Sequence, residues 1–156
     1  MFADLLFPPR NYNCTRFHAV LVIMDAFSRF ITVYPIKTWN QNEVNPLIKR
    51  YITWAERQFT DCKIKTMFTD GGGEFVNTEM MDWYQAHGIA HNLAPPNTSR
   101  LNMVERTHQT LTGMMKSMMQ DSGFPTSFWV DVLHYAAYLK NLSYSSAIDR
   151  TPYQAM

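Results

Sequence analysis

Residues 17–24 read FHAVLVIM, apolar at every position except His18. No other stretch constrains the fold as much. A strand with one wet face alternates apolar and polar residues, whereas a short run without alternation marks a strand covered on both faces. Such a strand belongs inside a sheet with helices packed on both sides. Asp25-Ala26-Phe27-Ser28-Arg29 reads as a tight connection, and 30–36 (FITVYPI) as a second, β-branched and aromatic strand, so the two form a hairpin. Pro35 has no backbone donor and either ends that strand or puts it at a sheet edge.

The rest of the chain alternates between the two periodicities. Val44, Leu47, Ile48, Tyr51, Ile52 and Ala55 fall three and four apart, predicting a helix over 42–59 with Asn42 as its cap. Strands are predicted at 63–69 and 89–93. A short helix at 78–87 closes on Gly88, and a long helix spans 100–120. After Ser122-Gly123-Phe124-Pro125, a last helix capped by Thr126 or Ser127 runs to about Lys140. The first apolar segment, 1–7, contains Asp4. The order β, β-hairpin, α, β, α, β, α, α predicts an α/β fold with a mixed sheet, in one domain over 1–156. Met114, Met115, Met118 and Met119 sit at helical spacing and are read as core packing, not a copper site.

Composition narrows the partners. The net charge of +1 gives no global field for nucleic acid or membrane, so an anionic partner must meet a local patch. Cys14 and Cys62 form neither a disulfide framework nor a zinc pair of recognisable spacing. No apolar run approaches membrane-spanning length, and no signal pattern opens the chain. The expected setting is intracellular, nuclear or cytoplasmic.

The chemistry-bearing residues are carboxylates. Asp70 stands where the strand at 63–69 stops, followed by Gly71, Gly72, Gly73 and Glu74. At a strand end an acid is both rigid and accessible, and glycines keep the surrounding rim low. Asp4 ends or interrupts the first strand. Glu105 heads a polar stripe of the long helix with His108, Gln109, Thr112 and Lys116, opposite Val104, Leu111, Met115 and Met118. If the first and fourth strands are neighbours, Asp4 and Asp70 project side by side and the helix carries Glu105 across them. Three carboxylates at one place repel unless a cation compensates them, and all-oxygen donors favour Mg²⁺ or Mn²⁺ over zinc. Two such ions about 3.5–4 Å apart clamp the attacking and leaving oxygens of a phosphoryl transfer. Asp25 is explained by turn chemistry alone. Glu74 is read as a loop-positioning residue, and the spacing of His87 and His91 as a coincidence broken by Gly88.

The combination resembles the catalytic core of retroviral-type integrases, of the copia-type LTR-retrotransposon kind, over nearly the whole chain. It rests on Asp4-Leu5 with Pro8, Asp25 to Arg29, Thr69-Asp70 with Gly72 and Glu74-Phe75, and Gly88-Ile89. It continues through Val104-Glu105-Arg106 with Thr110-Leu111, Phe128-Trp129, and Ala136-Ala137-Tyr138 with Asn141. The resemblance implies an RNase H-like fold, a five-stranded mixed sheet flanked by helices. It implies Asp4, Asp70 and Glu105 as catalytic metal ligands and Mg²⁺ or Mn²⁺ as cofactor. It also implies DNA 3′-end processing and strand transfer, with element ends and target DNA as partners, and a homodimer. His108 and Lys116, with Arg100 and Arg106, are candidate DNA contacts.

Three positions depart from the pattern. Phe7 replaces a frequent glycine, and Leu142 follows Asn141 where arginine is frequent. The stretch Asn102-Met103-Val104-Glu105-Arg106 lacks a glycine, leaving 34 residues between Asp70 and Glu105, one short of a frequent spacing. The alternative reading is therefore a decayed or domesticated, non-catalytic module that binds DNA or protein. Neither the family's His₂Cys₂ zinc module nor its basic C-terminal region is present, and few residues precede Asp4, so an excised core truncated at its first strand is expected.

Overall fold

The computed structural model describes residues 1–9, 12, 16–59, 62–93 and 99–156. Five strands and their helices follow in the order β1 (Phe2–Leu6), β2 (Ala19–Met24), β3 (Ile31–Ile36), α1 (Gln41–Gln58), β4 (Thr66–Thr69), α2 (Thr78–Ala86), β5 (Ala90–Leu93) and α3 (Ser99–Ser122). A 3₁₀ turn (Thr126–Phe128), α4 (Trp129–Leu142) and a short α5 (Pro152–Ala155) complete the chain.

The sheet order is β3-β2-β1-β4-β5. β2 runs antiparallel to both of its neighbours, β1 and β3, while β4 runs parallel to both β1 and β5. The sheet is mixed, as the alternation of strands and helices predicts. Every residue of β2 is buried. Leu21 and Ile23 pack under α1 and α2 with Val44, Ile48, Tyr51, Met80 and Tyr84. Val20, Val22 and Met24 pack on the other face under α3 and α4 with Leu111, Met115, Trp129 and Leu133. This is why FHAVLVIM does not alternate: both its faces are interior. Pro35 lies in β3, an edge strand, so its missing donor costs no ladder bond.

Several boundaries move. β4 begins at Thr66, because Lys63 and Lys65 are exposed and make no strand. α1 is capped two residues earlier than expected, by Asn40, whose side chain accepts from the Glu43 N–H. Thr126 and Ser127 form a 3₁₀ turn, and neither caps α4. Gly88 has φ +66°, the left-handed residue that ends α2. Met115 and Met119 are buried and Met114 and Met118 pack partly against them, so the methionine cluster is core.

Candidate active site

The pairing of β1 with β4 sets the site. The two strands register at Phe2↔Phe68, whose rings stack with centroids 5.1 Å apart. Two residues further along each chain stand Asp4 and Asp70. Side chains of a strand repeat their face every second residue. Asp4 therefore shares the face of Phe2 and Leu6, which pack beneath α3 and α4.

Asp4 lies mid-strand, not at a strand end, with its side chain 30% exposed. Its Oδ1 accepts from the Leu5 N–H at 2.8 Å. Burial pushes its carboxyl up to about 6; the Leu5 bond opposes that rise, and the carboxylates of Asp70, Glu105 and Glu74 add to it. Three acids from the glycine loop and α3 thus lie within electrostatic reach of Asp4.

Asp70 is exposed one residue beyond β4, and its Oδ1 accepts from Gly72 N–H at 3.1 Å. Thr69, buried beside it, donates its hydroxyl to the Asp70 carbonyl at 2.9 Å. That hydroxyl also lies 2.8 Å from His91 Nε2. A hydroxyl has one proton to give, so the ring nitrogen is the donor to Thr69. The His91 ring stacks on Tyr84 at 5.4 Å. His87 stacks instead on Trp83, at 4.0 Å, so the two histidines do not form a metal pair.

The glycine loop is held from behind. Asn77 caps α2 by accepting from Met80 N–H and donates toward the carbonyls of Gly73 and Glu74. Asn45, wholly buried on α1, donates to Asn77 Oδ1 at 3.1 Å and to Glu79 Oε2 at 3.2 Å. Of the three glycines, Gly72 alone is crowded. A Cβ there would sit 2.6 Å from the Glu74 carboxyl, while one on Gly71 or Gly73 would meet nothing within 4 Å. The glycines are therefore not equivalent, and the expected low rim reduces at Gly72 to room for Glu74.

On α3, Val104, Leu111 and Met115 are buried and Glu105 is exposed. His108 is not on the solvated stripe that its chemistry suggested. Its side chain is 18% exposed, and Nδ1 lies 3.7 Å from Asp4 Oδ2. Burial pulls the imidazole down to about 4, so it is neutral at pH 7 and the contact is neither an ion pair nor, at that length, a hydrogen bond. Its buried Nε2 has no hydrogen-bond partner among the described residues. Lys116 is exposed, bordering a cleft of about 400 Å³ shared with Leu6, His108, Gln109 and Thr112. Arg106 is exposed on another flank of α3. The Arg100 side chain, and residues 94–98 where the shortened approach to Glu105 would be absorbed, lie outside the described residues.

The donor set suits a hard cation. Asp4, Asp70, Glu105 and Glu74 supply only oxygen, the nearest base is neutral, and the ion pair among the described residues, Lys49–Glu79, involves none of these acids. The acids are nonetheless not drawn together: among the described residues, no three of His, Cys, Asp and Glu are close enough to hold an ion.

A five-stranded mixed sheet of this order, covered by helices on both faces, is RNase H-like, and its neighbours among solved structures are integrase cores. The HTLV-2 integrase catalytic core domain in complex with magnesium, in its trimeric form, superposes with a TM-score of 0.70 at 18% identity, over 99% of this chain and 93% of that one. The catalytic core domain of BIV integrase gives 0.68 at 15% identity, over 98% and 91%. The family model "Integrase core domain" matches residues 3–99, which include Asp4 and Asp70 and stop short of Glu105. The chain belongs to the integrase core domain family. It is 32% identical over 124 residues to the retrovirus-related Pol polyprotein from transposon TNT 1-94 of Nicotiana tabacum, and 30% identical over 122 residues to that from transposon RE2 of Arabidopsis thaliana. Those matches take in 79% and 78% of this chain but 9% and 8% of the polyproteins.

Proposed function

We propose that this core acts on DNA, trimming element ends and joining the resulting 3′-hydroxyl to a target phosphodiester, with Asp4, Asp70 and Glu105 holding Mg²⁺ or Mn²⁺. The observation that carries the reading is the β1–β4 register, which sets Asp4 two residues beyond the Phe2↔Phe68 pair and Asp70 likewise, with the Asp4 carboxyl raised first by burial and then by Asp70 and Glu105. A divalent ion, when bound, supplies Lewis-acid stabilisation of charge on phosphate oxygens. The chain's own residues do the rest. β1 and the Leu5 N–H hold Asp4 in one orientation. The Gly72 N–H and the Asn77–Asn45 contacts hold the loop that carries Asp70. Neutral His108 walls the site beside Asp4 without competing as a cation. Lys116, with Arg100 and Arg106 as further candidates, meets backbone phosphates. Exposed Phe124, Phe128, Tyr135, Tyr138 and Leu142, on and before α4, supply an apolar face for a homodimer.

The test is Mn²⁺-dependent joining and disintegration of oligonucleotide DNA, with Asp70→Asn as the blank. Joining by the unmodified chain and none by the blank is the expected result. Equal activity in both would remove Asp70 from the site. The second reading is a module that keeps the fold and binds DNA or protein without catalysis. It is favoured by the short spacing before Glu105 and by the acids not being drawn together. Metal binding without joining is its signature.

A further inference from the structure

A second polar cavity, of about 330 Å³, lies on another flank of α3. Met103, Arg106, Thr107 and Thr110 line it at three- and four-residue spacing, a different stripe from that of Glu105, Gln109, Thr112 and Lys116. Its walls bring together three cations from separate elements: Arg29 from the β2–β3 turn, Arg106 from α3 and Lys140 from the last turn of α4. No aspartate or glutamate lines it. The ion pair among the described residues, Lys49–Glu79, involves none of the three.

Arg29 is unusual in two further ways. Its φ of +63° is left-handed, a turn position where glycine is at ease and an arginine is not. Its Nε is buried with no hydrogen-bond partner among the described residues. A buried guanidinium nitrogen normally finds an acceptor, because leaving it unpaired forfeits its hydration without return. Here no described residue accepts from Arg29 Nε, and two more positive groups line the same cavity. A guanidinium fork matches the oxygens of a phosphate, and a neighbouring ammonium adds charge without a geometric demand.

We infer that this cavity is a phosphate-binding site, and that its ligand is a phosphate oxyanion, borne either by a nucleic-acid backbone or by a small free phosphate. Arg29 supplies the directed donor, Arg106 and Lys140 the flanking charge, and the Ser145 hydroxyl a further polar contact at the mouth. The site does not involve the carboxylates across α3; it shares Arg106 with the DNA contacts proposed above, and its test uses no divalent metal and reads no catalysis.

The test is nuclear magnetic resonance on the full ¹⁵N-labelled chain without divalent metal. Inorganic phosphate is one probe and a short blunt DNA duplex the other, each against chloride at equal ionic strength. Phosphate is expected to shift the Arg29 Nε–H and Ser145 amide resonances saturably. The double variant R106Q/K140Q should weaken that binding about tenfold or more, since each lost charged hydrogen bond is worth a factor of that order. Asp70→Asn should bind phosphate as the unmodified chain does. If the duplex moves the same resonances at lower concentration, the phosphate comes from nucleic acid; if only the small anion does, the ligand is a free phosphate. Should the double variant lose its native spectrum, R106Q alone, at an exposed position, carries the comparison. Failure of both probes to move the Arg29 Nε–H, or undiminished binding in a folded variant, overturns the assignment.

Discussion

Asn141 is where the fold can be tested most sharply. It is a buried polar side chain, 6% exposed, in the last turn of α4. Its Oδ1 accepts from the Ile31 N–H at 2.9 Å and its Nδ2 donates to the Ile31 carbonyl at 2.8 Å. The carboxamide therefore behaves as one more strand residue along the free edge of β3, 110 positions away in sequence. Asn141→Ala removes two hydrogen bonds worth about 1 kcal/mol each and strands a buried N–H and C=O, for a combined loss of about 2–4 kcal/mol. At ~2–4 °C per kcal/mol for a domain of this size, the melting temperature should fall by about 5–15 °C. Asn141→Asp discriminates the mechanism. A carboxylate still accepts from the N–H but turns a negative oxygen toward the Ile31 carbonyl. At pH 7 it should cost at least as much as alanine, and it should recover as acid protonates it into a donor. Urea denaturation of the three proteins at two pH values is the assay. An alanine variant within about 0.5 kcal/mol of the parent, the ordinary range for surface changes, refutes the edge clamp. So does an aspartate milder than alanine at pH 7.

Other outcomes follow from the site. Asp4→Asn keeps the acceptor for Leu5 N–H and removes a carboxyl raised from 3.8 to about 6, so the metal-free variant should gain up to about 3 kcal/mol, less what partial solvent screening removes. Because the folded value lies above the unfolded one, that gain is full above about pH 6 and gone below about pH 4, where both states are protonated; Mg²⁺ should stabilise the parent and not the variant, as thermal melts would show. Gly72→Ala should push the flexible Glu74 carboxyl aside at a cost of about 1 kcal/mol or less, and Glu74→Ala in the same chain should abolish the cost, a coupling a double-mutant cycle measures. Inserting glycine between Asn102 and Met103 should raise strand transfer on oligonucleotides; full activity without it would refute the decay reading, and an inactive insertion that still binds metal moves the fault elsewhere, to Phe7 first.

How much of this was legible depended on whether burial leaves a periodic trace. β2 announced itself because both its faces are interior, and of the two readings of Pro35, strand end or sheet edge, β3 shows the edge. β5 is largely exposed, so its burial leaves no periodic trace in the sequence. α5, four residues with a Thr151–Gln154 capping box, is too short for any hydrophobic period and was not expected. His108 was misjudged by chemistry alone: four residues after buried Val104 and three before buried Leu111, it faces inward, and an imidazole has enough apolar body to be buried there. The supports of Asp70 were invisible for a different reason. Asn45, Asn77 and His91 are ordinary residues in sequence, and only the tertiary fold brings α1, the glycine loop and β5 together.

One consequence of the β1–β4 pairing concerns mechanics. β1 is bonded to β2 over five residue pairs, and β4 to β5 over four; β1 meets β4 at Phe2↔Phe68, with the Phe68 N–H donating to the Met1 carbonyl at 2.8 Å and the Met1 ammonium to the Thr66 carbonyl at 2.9 Å. Asp4 stands on one side of this junction and Asp70 just beyond the other, so the β1–β4 pairing sets the spacing of the two carboxylates. A substitution in the stacked pair, on uncharged residues, would reset that spacing and leave both acids and their hydrogen bonds in place.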